Sequence, residues 1–362
     1  MHRCGMRLRV VETAGDGEPV EESGVRPADR AVRLSGGDVR SDDEVDLLSA
    51  LGLAVRAPSV HNSQPWRWRL GPHGVDLSTD ATRRLPRTDP EGRDQVISCG
   101  AALHHLLVAL ADAGRGARVH RLPDPTRPHH LATVELAPHV DGDVDAGLAA
   151  AIGRRRTDRR PFRSWPVPPE LTGEMAEIAD QQGVGLEVVV DPRARRRLFR
   201  AIEVAAEQQE ADPAYAAELA GWSGRPVGAR DGVPADRAPL PNPVPGQMPM
   251  RAFPGVPTPG SPSSEPESAA LLLLSTSGDT PLQWLHVGEV TSAILLTATR
   301  HGLAGSPLTQ PLEVGQTRTF IRNQITGTAA HPQMLLRLGW PQADAPTLRP
   351  TPRRPLDEVV DR

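Results

Sequence analysis

A loop rich in small polar side chains is the first segment whose composition suggests binding chemistry. It reads APSVHNSQPW over residues 57–66, and its Ser59, Asn62 and Gln64 can each donate and accept hydrogen bonds. Such side chains match the polar edge of a planar ring, and Pro65 with the tryptophans after it would hold the loop in place. The same residues also fit a turn stabilised by Ser or Asn side chains without any ligand. The residue types alone leave both interpretations open.

A run of arginines from Arg154 to Arg160, with Thr157 at its centre, is the second candidate. Guanidinium groups bind phosphate oxygens in a bidentate manner, and a threonine hydroxyl adds a further donor. The run therefore predicts a phosphate site. A solvated basic turn and a nucleic-acid patch are the alternatives, and the sparse aromatic residues and negative net charge disfavour the patch.

The composition limits the classes of protein to be considered. The chain has 362 residues, enough for two domains or one large duplicated domain, and a net charge of −4. This charge gives no overall attraction to nucleic acid or to an anionic membrane. Cys4 and Cys99 are the only cysteines, which argues against a disulfide framework. No apolar run approaches a membrane span, so we expect a cytoplasmic protein without a membrane or nucleic-acid partner.

The elements around the two candidate segments follow from periodicity. Residues 1–40 are charged and lack periodicity, which predicts a disordered tail. Apolar residues at helical spacing over 45–55 predict a helix that ends near Ala57, because Pro58 disfavours helix for the residue before it. Alternation over 66–77 predicts two strands joined by a glycine turn. Further elements in this half are expected as a helix at 96–114 and strands at 117–121 and 132–136.

The second half resembles the first in pattern. Helices are expected at 169–182, from Asp191 onward and at 286–302, and strands at 186–190, 271–274 and 334–338. An apolar helix that ends in glycine and precedes strands occurs in both halves, which indicates a duplicated α+β fold. Residues 221–268 are dense in Pro, Gly and Ser and predict either a lid or disorder. The expected domains are a first half at 41–150 and a second half at 151–362 that contains this insert.

Taken together, these segments resemble the nitroreductase family. APSVHNSQPW looks like the family loop that contacts the isoalloxazine ring of FMN, and RRTDRRPF is similar to its phosphate-binding start. Residues 335–360 resemble its final strand and C-terminal arginine segment. In ordinary members the arginine motif precedes the loop by one helix, whereas here it follows by about ninety residues. This order, with CGAALHHLLVAL and HVGEVTSAILLTATRHGLAGSPLTQ, resembles the actinobacterial Acg-type members, in which two halves of one chain mimic the usual homodimer. The resemblance implies a nitroreductase-like α+β fold of two fused halves that form an intramolecular pseudo-dimer.

The resemblance also implies a single FMN site shared by the two halves. The implied ring contacts from the first half are Pro58, Ser59, Asn62 and Gln64. The implied phosphate contacts are Arg155, Thr157 and Arg159, with Arg353 or Arg354 as a further charge. Pro307, Leu308 and Thr309 stand where the family has a backbone segment near the flavin N5, although the usual Glu-Gly is absent there. One site is expected because neither half carries both motifs.

The implied activity is that of an FMN-dependent oxidoreductase. NAD(P)H would reduce the flavin at N5, and a nitroaromatic or quinone-type acceptor would then take the electrons, so no catalytic side chain is obligatory. No metal is expected, because the histidine pairs at 104–105 and 129–130 lack a metal-binding spacing.

Two other functions stay open. The first is an FMN-sequestering or stress-response protein with little reductase activity, whose insert covers the flavin through Met248, Met250 and Phe253, since Acg-type proteins have a lid that restricts access. The second is a protein that kept the fold and lost FMN. A monomer is expected, since the duplicated chain has internal two-fold pairing.

Overall fold

The structure, a computed structural model, contains two mainly antiparallel sheets and two long central helices. It describes residues 41–72, 74–137, 145–226, 228–235, 248–253, 268–327 and 329–361. The expected tail at 1–40 and most of the insert at 221–268 therefore lie outside the described residues. An α+β fold is confirmed.

The first half begins with a helix and ends with a strand pair. Its elements are α1 (Ser41–Ala54), β1 (Trp66–Gly71), β2 (Gly74–Thr79), α2 (Arg93–Asp112), β3 (Gly116–Arg121) and β4 (His130–Ala137), with short 3₁₀ helices at Val60–Asn62 and Ala81–Arg83. In β1 the side chains of Trp66 and Trp68 are fully buried while Arg67 and Arg69 point outward. This alternation confirms the expected strand pair, since one face of the sheet packs on α1 and α2.

The second half has more elements than the periodicity predicted. They are a 3₁₀ turn (Ala146–Leu148), α3 (Ala149–Arg154), α4 (Pro169–Gln181), β5 (Gly185–Val188), α5 (Pro192–Glu210), α6 (Pro213–Trp222), β6 (Ala270–Thr276), α7 (Pro281–Arg300), β7 (Ala304–Leu308), α8 (Gln310–Glu313), α9 (Gly315–Ile321), a π-helical turn (Arg322–Thr326), β8 (His331–Gly339), a 3₁₀ turn (Leu356–Glu358) and β9 (Val360–Asp361). The expected division between residues 150 and 151 falls within α3.

Two helix boundaries differ from the expectation for identifiable reasons. The single helix expected from Asp191 is two helices, because Asp212 caps a new start by accepting a hydrogen bond from the Ala214 N–H. The helix expected from His286 begins at Pro281 instead. There the Thr280 N–H donates to the side chain of Gln283 at 3.2 Å, a capping interaction that the apolar periodicity does not reveal.

The strand order repeats between the two halves. One sheet has the order β3-β4-β2-β1-β9, and the other has β7-β8-β6-β5. When α2 is matched with α7, the strands β3, β4, β2 and β1 match β7, β8, β6 and β5 in the same order. The additional strand β9 pairs in parallel with β1, Trp68 opposite Val360. The end of the second half therefore returns to the sheet of the first half and brings Arg353 with it.

The two central helices touch backbone to backbone. A Cβ atom on Gly100 of α2 would lie 2.1 Å from the carbonyl oxygen of Leu285, and one on Gly288 of α7 would lie 2.1 Å from that of Ile97. The Ser292 hydroxyl of α7 also bonds Nδ1 of both His104 and His105, at 2.8 Å each. Burial lowers the pKa of His104 to about 4, so this histidine is a neutral core side chain.

Of the described helices, α2 is the one that is long and apolar enough to cross a membrane. Its apolar stretch is 94% buried inside the protein. Such burial is typical of a helix at the centre of a packed core.

The helix contact gives a first test. Replacing Gly288 by Ala should lower the free energy of unfolding by about 3 kcal/mol, because the new methyl group overlaps the Ile97 carbonyl and the helices must separate. Gly173→Ala in α4 is the matched control, since no atom lies within 4 Å of its Cβ position and its residue is exposed. This control should be neutral or gain up to about 1 kcal/mol. Equal stability of the two variants in urea denaturation would contradict the close contact.

Candidate functional site

The polar loop after α1 has a strained backbone. His61, Asn62 and Gln64 have φ angles of 49°, 54° and 52°, in the left-handed region that costs a non-glycine residue about 1 kcal/mol or more. Two hydroxyl groups hold this conformation. Ser59 Oγ accepts from the Gln64 N–H at 3.0 Å, and Ser98 Oγ of α2 accepts from the Val60 N–H at 3.2 Å. These two hydrogen bonds therefore hold the loop in a conformation that its backbone does not favour by itself.

The amide side chains of this loop bind protein backbone. Asn62 Nδ2 donates to the carbonyl oxygens of Gly232 and Pro352, at 3.0 and 3.2 Å. Gln64 Nε2 donates to the Arg230 carbonyl at 2.8 Å, and Gln64 Oε1 accepts from the Arg354 N–H at 2.8 Å. Gln64, expected at the ring, is thus occupied in fastening the C-terminal segment and does not line a described cavity. Asn62 does line one, and its Oδ1 is buried without a partner among the described residues.

Three of the predicted site segments meet at one cavity, called here the main cavity. Its walls include Pro58 and Ser59 of the loop, Thr157 and Arg159 of the arginine run, and the 307–309 segment at the end of β7. The cavity holds about 890 Å³ of space, counting its open mouth. Residues separated by up to 250 positions in the chain are thus brought together as the resemblance implied.

A basic groove continues from the main cavity past Ser59, Thr157 and Arg159 to Arg155 and Arg353. The NH2 groups of Arg155 and Arg353 both donate to the carbonyl oxygen of Arg56, at 3.3 and 3.1 Å. Arg353 donates also to the carbonyls of Val55 and Ala57, at 2.9 and 3.0 Å. These are carbonyls just beyond the last turn of α1, where a cation is favoured.

At the end of the basic groove, the buried Arg155 and the half-buried Arg353 have no carboxylate partner in the described part of the chain. Burial and the neighbouring guanidinium groups together lower the pKa of Arg353 to about 9 and that of Arg155 to about 10. Arg155 Nε has no hydrogen-bond partner among the described residues. Two neighbouring cations of this kind would be stabilised by an anion. The groove therefore has the charge and the donors to hold an anion.

The arginine run is fastened to β7, which explains which of its members face the groove. Thr157 forms a bridge with Gly305, and the Asp158 N–H donates to the Gly305 carbonyl at 3.0 Å. Asp158 in turn pairs with Arg160 at 2.7 Å and so turns that arginine away from the groove. Arg337 of β8 donates to the Arg160 carbonyl at 2.9 Å.

Arg354 does not join the basic groove. Its Nε lies 3.4 Å from Glu358 Oε2, its NH2 donates to the Glu358 carbonyl at 2.8 Å, and its NH1 lies 3.5 Å from Asp80 Oδ2. Of the two C-terminal arginines that the sequence left as alternatives, Arg353 is therefore the one that lines the basic groove.

A short part of the insert, residues 248–253, crosses the main cavity and is called here the covering segment. Met248 anchors it among Leu271 and Leu335 in the core beneath the second sheet, so Met248 does not reach the cavity. Met250 and Phe253 line the cavity, as expected, together with Pro249 and Arg251. The sequence therefore predicted two of the three anchors.

Sequence reasoning missed the polar contacts of the covering segment. Arg251 is buried and forms an ion pair with Glu313 of α8, and its NH1 lies 3.0 Å from His61 Nε2. The Phe253 ring meets the His61 ring edge-on at 5.7 Å, and Arg159 lies over Phe253 at 4.9 Å. Burial, with the charges of Arg251 and Arg159, lowers the pKa of His61 well below its usual value. An isolated arginine in a proline-rich stretch carries no periodic signal, so no pattern could have identified it.

Buried carboxyl groups at the start of α2 form the last component. Asp94 lines the main cavity and accepts both Nε and NH2 of Arg93 on its Oδ1, at 3.0 and 2.8 Å. Asp89 accepts from the Gln95 N–H at 2.8 Å. Burial and the nearby Asp94 raise the pKa of Asp89 to about 7, and burial also raises that of Asp94. Within the described residues no group of three or more His, Cys, Asp and Glu could hold a metal ion.

The raised pKa of Asp89 predicts a pH-dependent stability. Its folded pKa of about 7 exceeds the unfolded value near 4, so the stabilisation present at low pH is lost as the pH rises towards 7. Between pH 5 and pH 8 the unfolding free energy of the wild type should fall by about 3 kcal/mol relative to Asp89→Asn. Asp112→Asn, an exposed carboxylate at the far end of α2, is the control and should follow the wild type. If the unfolding free energies of the wild type and Asp89→Asn differ by the same amount at both pH values, the raised pKa of Asp89 is refuted.

No family model matches the chain, but curated relatives do. It is 44% identical over 322 residues to a Mycobacterium tuberculosis protein named "Putative NAD(P)H nitroreductase", covering 88% of this chain and 92% of the relative. It is 37% identical over 323 residues to "Putative NAD(P)H nitroreductase acg" of the same organism, covering 86% and 94%. The chain belongs to the nitroreductase family, which confirms the resemblance to Acg-type members.

Solved structures share a smaller part of the chain. The FMN and NADPH-dependent nitroreductase NfnB of Sphigopyxis sp. strain HMH has 20% identity and a TM-score of 0.38, over 59% of this chain and 97% of its own. The FMN-dependent nitroreductase NfnB of Mycobacterium smegmatis, in complex with NADPH, has 19% identity and a TM-score of 0.36, over 59% and 97%.

Proposed function

We propose that the chain binds one FMN between its two halves and is an FMN-dependent oxidoreductase that uses NAD(P)H. The observation that carries this proposal is the pair of arginines, the buried Arg155 and the half-buried Arg353, at the end of a groove that opens into the main cavity. The names of the relatives, which are NAD(P)H nitroreductases, support the same reductant. FMN-dependent members of the family support the cofactor.

The residues present fit both ends of FMN. Its phosphate matches the basic groove, where the guanidinium groups of Arg155 and Arg353 have no carboxylate partner in the described part of the chain. Its ring has donors and acceptors on one edge. The main cavity offers two buried polar atoms without a partner among the described residues, Thr291 Oγ1 and Gln310 Oε1. Such atoms are costly to bury unless a ligand completes their hydrogen bonds.

The chain's own residues would bind and enclose the cofactor. When bound, FMN supplies hydride transfer between NAD(P)H and an acceptor. Arg155 and Arg353 bind the phosphate, Pro58 and Ser59 position the ring from the first half, and Leu308 contacts it from β7. The covering segment excludes water from the cavity. A nitroaromatic or quinone-type compound is the proposed acceptor, and a monomeric, cytoplasmic protein remains the expectation.

The repeated topology supports a single site for each chain. When Gly100 is paired with Gly288, Glu289 of α7 is the counterpart of Ala101, and Arg121 of β3 is the counterpart of Thr309. Ala101 and Thr309 line the main cavity. At the counterpart position Arg121 Nε and NH2 donate to the two carboxylate oxygens of Glu289, at 2.8 and 2.7 Å. This ion pair places two charged side chains where the main cavity has Ala101 and Thr309, which is unfavourable for a second neutral ring and supports one FMN.

Removing a phosphate ligand should weaken FMN binding. Arg155→Ala should weaken the binding free energy of FMN by about 1.5–3 kcal/mol, because a charged hydrogen-bond donor to phosphate is lost. The dissociation constant should therefore rise roughly tenfold to a hundredfold. Arg154→Ala is the matched control. Arg154 is the preceding residue, but its side chain is exposed and its Nε donates to the Ala150 carbonyl. Fluorescence titration with FMN measures both. Equal affinity of Arg155→Ala and wild type would remove Arg155 from the site.

The activity itself is tested by reduction of the bound flavin. The purified chain should show the visible absorbance of flavin, and NADH or NADPH should bleach it in a stopped-flow experiment. Addition of a quinone or nitroaromatic compound should then restore the absorbance. A flavin that stays oxidised with both nucleotides would exclude the reductase.

FMN sequestration is the second candidate function, and the ion pair of Arg251 with Glu313 favours it because it fixes the covering segment over the cavity. Under this alternative the wild type would reduce no acceptor, and Arg251→Met would release FMN faster and gain turnover. Arg230→Met is the control, because Arg230 is exposed and lies outside the cavity. Turnover by the wild type that exceeds that of Arg251→Met would decide for the reductase.

A further inference from the structure

One carboxyl group at the main cavity has an oxygen that the protein does not use. Asp94 lies in the first turn of α2, is 2% exposed and lines the cavity. Because both nitrogens of Arg93 approach Oδ1, the second oxygen, Oδ2, has no hydrogen-bond partner among the described residues. Oδ2 is therefore the oxygen of this cavity-lining residue that remains available for a hydrogen bond.

The charges around Asp94 favour a bound proton. In each of two buried ion pairs, Arg93 with Asp94 and Arg251 with Glu313, the positive and negative charges cancel. Asp89 is an additional buried carboxyl without its own cation in the described part of the chain, and the charge of Asp94 raises the pKa of Asp89, as the charge of Glu313 raises that of Asp94. Two further titratable groups among the described residues are His61 of the loop, whose pKa burial lowers, and Tyr215, whose pKa burial raises to about 12. Arg159 lies further out against Phe253. One proton on the Asp89–Asp94 pair removes the excess negative charge.

We propose that Asp94 is the catalytic acid of this site and donates the proton on its Oδ2 to the acceptor that is reduced in the main cavity. The inference rests on the proposed function, which supplies the hydride from NAD(P)H. For a quinone, one oxygen receives the hydride equivalent and the other forms a bond to the proton as the Oδ2–H bond breaks. The quinone gains two electrons and two hydrogens and becomes the hydroquinone, while NAD(P)H is the species oxidised.

The surroundings of Asp94 suit the recovery of the proton. The carboxylate left after transfer is stabilised by the two donors of Arg93 at Oδ1. Asp89, in the turn before α2, is the nearby group that can exchange a proton with it, since burial raises the pKa of both carboxyl groups. His61 is less suited, because an imidazole with a lowered pKa is mostly neutral and a neutral imidazole is a very weak acid.

The test compares Asp94→Asn with the wild type in single-turnover reduction of a water-soluble quinone by the reduced, FMN-loaded protein. Asparagine keeps the shape and the acceptor for Arg93 and can still donate a hydrogen bond, but it cannot transfer a proton. Quinone reduction by Asp94→Asn should be about a hundredfold slower, the usual contribution of a general acid. FMN affinity and the rate of flavin reduction by NAD(P)H should change less than threefold. Asp112→Asn, exposed at the far end of α2, is the control and should match the wild type.

Two further measurements do not depend on the variant's rate. In the wild type, quinone reduction should slow as the pH rises above the pKa of the acid, and this pH dependence should be absent in Asp94→Asn. In the FMN-free protein at neutral pH, infrared difference spectra should show the C=O stretch of a protonated carboxyl that Asp94→Asn removes and Asp112→Asn retains.

The outcomes separate the inference from the function on which it rests. A wild type that reduces quinone at a rate independent of pH would overturn the role of Asp94, even if Asp94→Asn failed to fold. Equal rates in wild type and Asp94→Asn would do the same, with the reductase itself intact. A wild type that bleaches with NAD(P)H but reduces no quinone or nitroaromatic compound would instead remove both proposals.

Discussion

The backbone contact of α2 with α7 at Gly100 and Gly288 sets the distance between the two halves. Because neither position has room for a Cβ atom, the helices lie closer than side chains would allow. This approach places the loop after α1 opposite the end of β7, and the main cavity forms where the two meet. The hydroxyl of Ser292, shared by His104 and His105, joins the same helices through neutral groups and adds no buried charge.

Charge burial is organised differently at the two ends of the site. Around the main cavity the buried arginines Arg93 and Arg251 each have a carboxylate, and burial raises the pKa of an additional carboxyl group, Asp89, to about 7. In the basic groove Arg155 and Arg353 have only carbonyl partners among the described residues, and their pKa values are lowered accordingly. One end is electrostatically complete and the other lacks an anion. A ligand with a neutral polar ring and a phosphate fits both ends at once.

The sequence was most informative where a periodic pattern reflects one buried face. Trp66 and Trp68 alternate with exposed arginines, so the first strand pair was predictable. Short-range signals were less decisive: Pro213, with its cap at Asp212, divides a helix that apolar spacing alone shows as continuous. Partners distant in sequence were beyond reach. Gln64 has the type of side chain that a ring requires, but it fastens Arg354, and only the fold reveals this.

In the candidate site, too, the local motifs were predictable from the sequence and the partners distant in sequence were not. The loop, the arginine run and the 307–309 segment were named from the family resemblance, and the fold brings members of each to one cavity. The choice of Arg353 over Arg354 depends on the return of β9 to the first sheet, which the two-residue strand gives no pattern to predict. Asp94 and Arg251 were missed because their roles come from burial and pairing, which a single sequence does not display.

The central claim is that one chain forms one complete FMN site from both of its halves. Native mass spectrometry of the purified protein, titrated with FMN at constant protein concentration, measures this directly. The account predicts a single chain that saturates with one FMN and does not change its oligomeric state. Two FMN molecules for each chain would contradict the single site, since the counterpart position carries the charged pair of Arg121 and Glu289. Binding only by a dimer would contradict a site completed within the chain.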